Sequence, residues 1–192
     1  MQNGSYAPDR VEMIALRGLP MVGPGMDLAE LIAAGLEAAS LGLQDDDILV
    51  VAQKIVSKAE GRMVRLADVT PSEEARRRGR ETGKDPALVQ LILDESVEVL
   101  RQGPQVLIVE HRLGLVMANA GIDQSNAAPG CALLLPLDPD ASAARLAPAL
   151  GRRCGCRIGV IIIDSFGRAW RKGTVGHAIG VAGLRALLDL RQ

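Results

Sequence analysis

The sequence predicts an α+β fold, in which mixed sheets are flanked by helices. Short apolar runs rich in valine, isoleucine and leucine end in polar loops, which is typical of buried strands. Between them lie stretches that begin with a helix-capping residue and carry apolar side chains at helical spacing. At 192 residues and 48% hydrophobic, the chain can bury a core, and no repeat or clear linker divides it. We therefore expect one domain covering residues 1–192.

The first third of the chain predicts a strand, a glycine-rich loop, a helix and a second strand. Residues 11–16 have the composition of a strand. Residues 18–25 are dense in glycine and proline, and such a loop either lets a ligand approach the backbone or only connects two elements. Asp27 and Glu30 predict a capped helix start. The apolar run 48–51 predicts a buried strand.

The middle of the chain predicts two helices in succession. Thr70 is the expected N-cap of the first helix, with Pro71 at its first position and Glu73 at its third. This helix is strongly basic, but its glutamates favour a solvated face over nucleic-acid binding. The second helix begins at residues 85–86 and is expected to run through Leu100.

The last part of the chain predicts further strands and one long helix. The acidic residues near Asp138 should cap this helix, and Pro148 should kink or end it. Residues 173–183 contain four glycines and give no helical signal, and His177 within them is as suited to a structural role as to a functional one. The further strands are expected at residues 106–110, 113–116, 131–135 and 157–163.

Two short apolar runs are each followed by an aspartate. Asp123 lies in the polar loop that follows residues 115–118, and Asp164 directly follows residues 160–163. Open sheets usually carry their chemistry where strands end, so these carboxylates are candidates to converge on one metal ion. Aspartate at a strand end also caps helices and closes turns, so the structural interpretation stays open.

Further oxygen donors and a lysine complete the candidate site. Asn126 and Ser165 add oxygen atoms to the two carboxylates, and a set of hard oxygen ligands suits magnesium or manganese. Lys58, just past the strand 48–51, is placed to neutralise a phosphate, and we favour it over Lys54. The pattern predicts a metal and phosphate site, and hence phosphoryl chemistry.

Composition and absent motifs exclude several classes of protein. The 22 basic and 23 acidic residues are well mixed and give a net charge of -1, so no global field favours nucleic acid or an anionic membrane. No apolar run approaches the ~20 residues of a membrane span. Three cysteines without CxxC spacing support neither a disulfide framework nor a zinc site, and we expect a reduced, cytoplasmic compartment. The GxxxxGK[ST], GxGxxG and GxSxG motifs are absent.

Six blocks of the sequence stand out together, at residues 18–20, 51–62, 83–86, 119–126, 134–143 and 164–171. These blocks closely resemble the coenzyme F420 γ-glutamyl ligase family, and the likeness covers nearly the whole chain in the family's order. The resemblance implies a GTP-dependent ligase that adds L-glutamate to coenzyme F420-0 and then further glutamates in γ-linkage. It also implies an acyl-phosphate intermediate and the release of GDP and phosphate.

The resemblance also implies roles for individual residues. Asp123 and Asp164 match divalent-metal ligands, and Ser165 lies near a second metal. Lys58 and Asn126 match positions that contact the nucleotide. A loop lining the GTP site is matched by Leu19, Pro20, Met21 and Val22, and two weaker nucleotide positions are matched by Gln53 and Lys54.

Three broader expectations come from the same resemblance. The family uses magnesium or manganese together with potassium, and it forms an intertwined homodimer of mixed α and β structure. It normally continues well beyond residues 178–184, so this chain is expected to lack the family's C-terminal portion. The alternatives are a non-catalytic nucleotide- or deazaflavin-binding remnant, or a ligase that uses another carboxylate acceptor.

Overall fold

The structure is a computed structural model that describes residues 11–167, 170–187, 189 and 191. Within these residues the chain forms five helices and three small sheets, which confirms the predicted mixture of α and β structure. The helices are α1 (Leu28–Ala38), α2 (Gln53–Ala59), α3 (Glu73–Thr82), α4 (Pro86–Asp94) and α5 (Pro139–Cys154). The strands are β1 (Ile48–Ala52), β2 (Met63–Arg65), β3 (Ser96–Gly103), β4 (Val106–His111), β5 (Val116–Ala118), β6 (Cys131–Leu133), β7 (Gly159–Phe166) and β8 (Val175–Ala182).

The first sheet has the order β1-β7-β8 and positions the ends of two distant segments side by side. Strand β1 runs parallel to β7, with Ile48 opposite Gly159 and Ala52 opposite Ile163, and β8 runs antiparallel to β7. One face of this sheet packs against α1 and α5 and is buried with them. Because parallel strands end at the same edge, the start of α2 lies next to the end of β7.

The other two sheets share a second core with α3 and α4. Strands β2 and β6 form an antiparallel pair, and β3, β4 and β5 form an antiparallel meander. The fully buried side chains between these elements include Val89 and Ile92 of α4 and Leu107 and Val109 of β4. This second core supports the loop between β5 and β6, which carries Asp123.

Capping residues mark the first or last turn of several helices where the sequence predicts. Asp27 accepts a hydrogen bond from the Ala29 N–H at 2.8 Å, and Asp138 accepts one from the Ala141 N–H at 2.9 Å. Gly83 follows α3 with a φ of 73°, a left-handed conformation that glycine adopts without strain. The start of α3 differs from the prediction, because Ser72 rather than Thr70 is the N-cap.

Two sequence predictions of secondary structure are wrong, and a third, that Pro148 kinks or ends its helix, is wrong as to the end. Residues 11–16 form no strand, and most of their side chains are exposed. Val99 and Leu100 lie in β3 rather than in a long helix, because α4 ends at Asp94 and β3 pairs with β4. Pro148 lies inside α5 and does not end it; the buried neighbours Leu146 and Leu150 hold the helix against the sheet.

The glycine-rich segment 173–183 contains strand β8, which sequence periodicity did not reveal. Its glycines are explained in part by close packing, since a Cβ at Gly180 would overlap the backbone of Pro139 at the start of α5. Val181 donates its backbone N–H to Asp140 at 2.8 Å, which joins β8 to the same end of α5. Tertiary pairing therefore decides the structure of this segment rather than local propensity.

A buried carboxylate joins the β4–β5 hairpin to the rest of the chain. Glu95 accepts hydrogen bonds from Arg62 at 2.8 Å and Arg112 at 3.0 Å, and His111 Nε2 lies 3.5 Å from it. Burial by itself raises the pKa of Glu95, but His111, Arg62 and Arg112 outweigh it and lower the pKa to about 2. The ionised form is therefore part of the fold. His111 is fully buried at the end of β4.

In the part of the chain that the structure describes, no helix is long and apolar enough to span a bilayer.

We predict that Gly180→Ala lowers the free energy of unfolding by roughly 1–3 kcal/mol, because the added methyl group must push α5 away from β8. Gly176→Ala on the same strand is the matched control, since its methyl would lie 3.7 Å from Ile163, an ordinary contact. Urea denaturation of both variants measures the difference. Equal stabilities would contradict this account of the close approach.

We predict that Glu95→Gln costs roughly 3 kcal/mol at neutral pH, because two arginines lose a buried anionic partner. The folded-state pKa of Glu95 lies below its ordinary value of 4.5, so its contribution is complete above pH 4.5 and is lost as the pH falls toward 2. The difference in free energy of unfolding between wild type and Glu95→Gln should therefore become smaller as the pH falls from 4.5 toward 2. Glu98→Gln, at an exposed position of β3, is the control and should change little.

Candidate functional site

Asp123 is held in a fixed position by the loop that contains it. Its carboxylate accepts hydrogen bonds from the Ser125 hydroxyl at 2.7 Å, the Ser125 N–H at 3.1 Å and the Asn126 side-chain amide at 3.0 Å. Its backbone pairs with Leu133 next to β6. Burial raises the pKa of Asp123, but hydrogen bonds from Ser125, Lys54 and Asn126 outweigh it and hold the pKa far below its usual range. The side chain is therefore a preorganised anion.

Lys54 is the basic residue that the structure places against this carboxylate. It lies in the first turn of α2, and its Nζ atom is 3.0 Å from Asp123 Oδ2. The Lys54 side chain is 36% exposed, so the ammonium also reaches solvent and any ligand that enters there. Lys58, which the sequence favoured, is one turn further along α2 on the same side of the helix.

Asp164 approaches the same point from β7. It is the sixth residue of that strand rather than the first after it, because β8 extends the pairing to Phe166. Burial raises the pKa of Asp164 above its ordinary value; Gln53 and Lys54 oppose that shift, and the charge of Asp123 adds to it. Asp123 and Asp164 thus lie close enough for the charge of Asp123 to affect the pKa of Asp164, and their convergence on one metal ion stays a prediction.

Gln53 connects the two sides of the site. It is 1% exposed at the first position of α2, and its Oε1 accepts a hydrogen bond from the buried Ser57 hydroxyl at 2.8 Å. Its amide lies near enough to Asp164 to favour the ionised carboxylate. Within the described residues, however, the buried Nε2 makes no hydrogen bond of full geometry. A buried donor without a complete partner is typical of a site that is satisfied by a ligand.

Ser165 and Asn126 occupy different positions relative to the carboxylates. Successive side chains of a strand face opposite sides, so the exposed Ser165 side chain faces away from Asp164. Asn126 lies directly beside Asp123 and donates to it through both its backbone and its side chain. The structure therefore brings Asn126 to the first carboxylate and leaves the Ser165 hydroxyl on the other face of the sheet.

The predicted nucleotide loop, residues 19–22, lies between a contact with α1 and a contact with the last residue of α2. Leu19 packs near Gly35 of α1. Gly25, three residues after the loop, donates its N–H to the carbonyl of Ala59 at 2.8 Å. In the described part of the chain, no hydrogen bond or ion pair joins this loop to Asp123.

The residues at this point fit a divalent cation with oxygen ligands. Within the described ranges there is no cluster of three or more histidine, cysteine or acidic residues that could hold a metal alone. Magnesium commonly uses one or two carboxylates and takes its remaining ligands from water and substrate phosphates. Burial raises the pKa of Asp164 and the charge of Asp123 adds to that shift, so a cation bound between the two carboxylates would stabilise the ionised form of Asp164.

Two features near Asp164 were not found from the sequence. His177 lies opposite Asp164 on β8, and its ring stacks on Phe166 with centroids 4.2 Å apart. The hydrogen bond between Ser57 and Gln53 was also missed, although their spacing of four residues on a helix is the signal for it.

All three cysteines are free, as expected.

Fold and site together define a protein of mixed α and β structure in which a lysine–aspartate ion pair lies near a second, partly buried aspartate. The family model of F420-0:γ-glutamyl ligases matches residues 18–192. The coenzyme F420:L-glutamate ligase of Methanothermobacter thermautotrophicus is 46% identical over 179 residues, which is 93% of this chain and 71% of the relative. The enzymes of that name from Methanopyrus kandleri and Archaeoglobus fulgidus are each 46% identical, over 95% and 94% of this chain and 69% and 70% of their own length. The chain belongs to the F420-0:γ-glutamyl ligase family.

We predict that Lys54→Gln raises the pKa of Asp123, because a cation 3.0 Å from its carboxylate is replaced by a neutral amide. Lys58→Gln is the matched control, since it removes the same charge one turn away. The measurement is a pH titration of the Asp123 carboxyl carbon by nuclear magnetic resonance. A larger shift in the Lys58 variant would show that the ion pair has been assigned to the wrong lysine.

Proposed function

We propose that this chain is a coenzyme F420:L-glutamate ligase, which uses GTP to join L-glutamate to coenzyme F420-0 and then adds further γ-linked glutamates. Membership of the ligase family and the 46% identity to three enzymes of that name support the reaction. The observation that supports the mechanism is the ion pair between Lys54 of α2 and Asp123 of the β5–β6 loop, with Asp164 of β7 near enough to be affected by both charges. We also propose that residues 1–192 act as a single ligase domain.

The nucleotide is proposed to lie along α2. Its guanosine end contacts the loop that ends near Ala59, formed by Leu19, Pro20, Met21 and Val22. Its phosphates lie at the other end of the helix, where Lys54 and Lys58 face the same side. The length of α2, about 10 Å, is compatible with an extended nucleotide running from loop to carboxylates. Asn126, beside Asp123, is proposed to contact the phosphates.

Asp123 and Asp164 are proposed to hold magnesium or manganese. A divalent cation held by these carboxylates would supply positive charge that offsets the negative charge of the triphosphate during phosphoryl transfer. Ser57 keeps Gln53 in place, and the Gln53 amide beside Asp164 favours the ionised form of that carboxylate. Ser165 near a second metal and a requirement for potassium remain predictions from the family; the outward position of Ser165 means that its hydroxyl would act on the other face of the sheet.

Phosphoryl transfer is needed because an amine cannot displace oxide from a free carboxylate. An oxygen of the terminal carboxylate of F420-0 attacks the γ-phosphorus, and the bond from that phosphorus to the β,γ-bridging oxygen breaks, releasing GDP. The amine of L-glutamate, having lost a proton, then attacks the acyl carbon, and phosphate leaves with the electrons of the carbon–oxygen bond. Lys54 neutralises the negative charge of the transferred group while Asp123 holds the ammonium in position.

A homodimer is proposed on the basis of an exposed apolar face. Strand β1 is an edge strand of its sheet, and its Ile48 and Val50 side chains are 52% and 54% exposed. The neighbouring Ile161 and Ile163 of β7 point to the same side and are half-buried. An apolar sheet face of this kind is typical of a surface that a second copy covers.

We predict that Asp123→Asn and Asp164→Asn each reduce GTP-dependent ligation by at least about a hundredfold, because the site loses a charged ligand while the core is unchanged. Thermal unfolding should stay within a few degrees of wild type. Asp68→Asn, which removes an exposed carboxylate paired with Arg65, is the matched control and should retain activity. The assay measures GDP release and glutamylated product with F420-0, L-glutamate and manganese.

These assays, together with a measurement of nucleotide binding, distinguish the proposed ligase from a binding module and from a ligase with another acceptor. Nucleotide binding without GDP release in the wild-type chain would support a binding module and contradict the ligase. Turnover only with another carboxylate acceptor would contradict F420-0 as the substrate. Wild-type rates in both aspartate variants would contradict the assignment of the metal ligands.

A further inference from the structure

The segment that leads to Asp123 contains three consecutive left-handed residues. Asn119, Ala120 and Gly121 have φ values of 53°, 53° and 66°. Glycine adopts this conformation freely and asparagine tolerates it, but alanine does so at a cost in free energy. Such a backbone persists only where its surroundings hold it, and strain of this kind concentrates at functional sites.

The surroundings hold this turn from three sides. The Asn119 side-chain carbonyl accepts the backbone N–H of Leu107 in β4, at 3.0 Å. Ala120 is fully buried in the core that α4 and β4 form. A Cβ on Gly121 would lie 3.1 Å from the Leu135 side chain, so there is little free space on that side.

Asn119 is the polar anchor of the turn. The register pairs Ile108 with Ala118, so Asn119 is the next position, where the chain leaves the sheet. The Leu107 N–H has no backbone acceptor on β5 here, because the chain leaves the sheet at this point. The side-chain carbonyl of Asn119 accepts its hydrogen bond instead. The chain can therefore leave β5 without an unsatisfied donor in the buried strand.

The turn determines where Asp123 lies. After the turn, Asp123 pairs with Leu133 through backbone hydrogen bonds of 3.0 and 2.8 Å, and its side chain collects the donors of Ser125 and Asn126. Only Ile122 separates the end of the turn from this pairing. A change in the direction of the turn would move the carboxylate relative to Lys54 and Asp164.

We propose that Asn119 is a positioning residue for the reaction: through its hydrogen bond to Leu107 it locks the left-handed turn and thereby preorganises Asp123. The inference rests on the proposed function only for the role of Asp123. The lock itself is a property of the free chain and is measurable without substrate, nucleotide or metal.

Three variants distinguish the hydrogen bond of the Asn119 side chain from the left-handed conformation of its backbone. Asn119→Gly keeps the left-handed backbone but loses the hydrogen bond to Leu107, and Asn119→Ala loses both. Asn119→Asp keeps an acceptor of the same shape and is the conservative rescue. Gln105→Gly is the matched control, because Gln105 is another left-handed residue (φ 61°) in the turn between β3 and β4, away from Asp123.

The first measurement is amide hydrogen exchange of the free chain. In Asn119→Gly the amides of Ser125 and Asn126, which donate to Asp123, should exchange about fivefold faster, as expected for the loss of one hydrogen bond. The core amides of β7 should not change. Asn119→Asp and Gln105→Gly should behave as wild type. Unchanged exchange at Ser125 and Asn126, or equal acceleration in β7, would overturn the proposal.

The second measurement is the manganese dependence of ligation. Asn119→Gly should raise the manganese concentration that gives half-maximal activity while leaving the KM for L-glutamate unchanged, and Asn119→Asp should restore it. A purely structural role would lower the yield of folded enzyme without moving that concentration, and this result would overturn the proposal. If the wild-type chain shows no ligation, the proposed function fails while the exchange experiment still decides the role of Asn119.

Discussion

The parallel pairing of β1 with β7 is the constraint on which the site depends. Five registered pairs, from Ile48 with Gly159 to Ala52 with Ile163, bring together segments that are far apart in the sequence. Parallel neighbours need a long crossover, and helix α5 covers the face of the sheet immediately before β7. Since both strands end at one edge, the first turn of α2 and the end of β7 must share a small volume, and the polar groups there face each other.

The two carboxylates in that volume have opposite electrostatic environments. Asp123 is surrounded by donors and remains an anion, whereas burial raises the pKa of Asp164 and the charge of Asp123 raises it further. Pairs of titratable groups whose environments push their pKa values apart are typical of functional sites. Lys54 contacts one carboxylate and lowers the pKa of the other, so it supplies part of the positive charge that a bound cation would complete.

Much of the fold follows from local chemistry that the sequence displays. Asp27, Asp85 and Asp138 are side-chain caps in the structure because a short carboxylate before a helix can reach its free N–H groups. The apolar runs that became β1, β4 and β7 were recognisable for the same reason, since buried strands need continuous apolar side chains. Strands β3 and β8 escaped prediction because the apolar residues of β3 directly follow those of α4, and because β8 is rich in glycine. They are strands only because β4 and β7 supply hydrogen-bonding partners.

The sequence by itself determined which residue types lie at the ends of strands and in the capping positions, because these depend on neighbours only a few residues away. It also named Asp123 and Asp164 as the acidic pair. Only the tertiary structure decided that Lys54 rather than Lys58 contacts Asp123, that Gln53 reaches toward Asp164, and that Ser165 faces away. Those outcomes depend on register and on the direction of each side chain, and both are set by long-range pairing that no local pattern encodes.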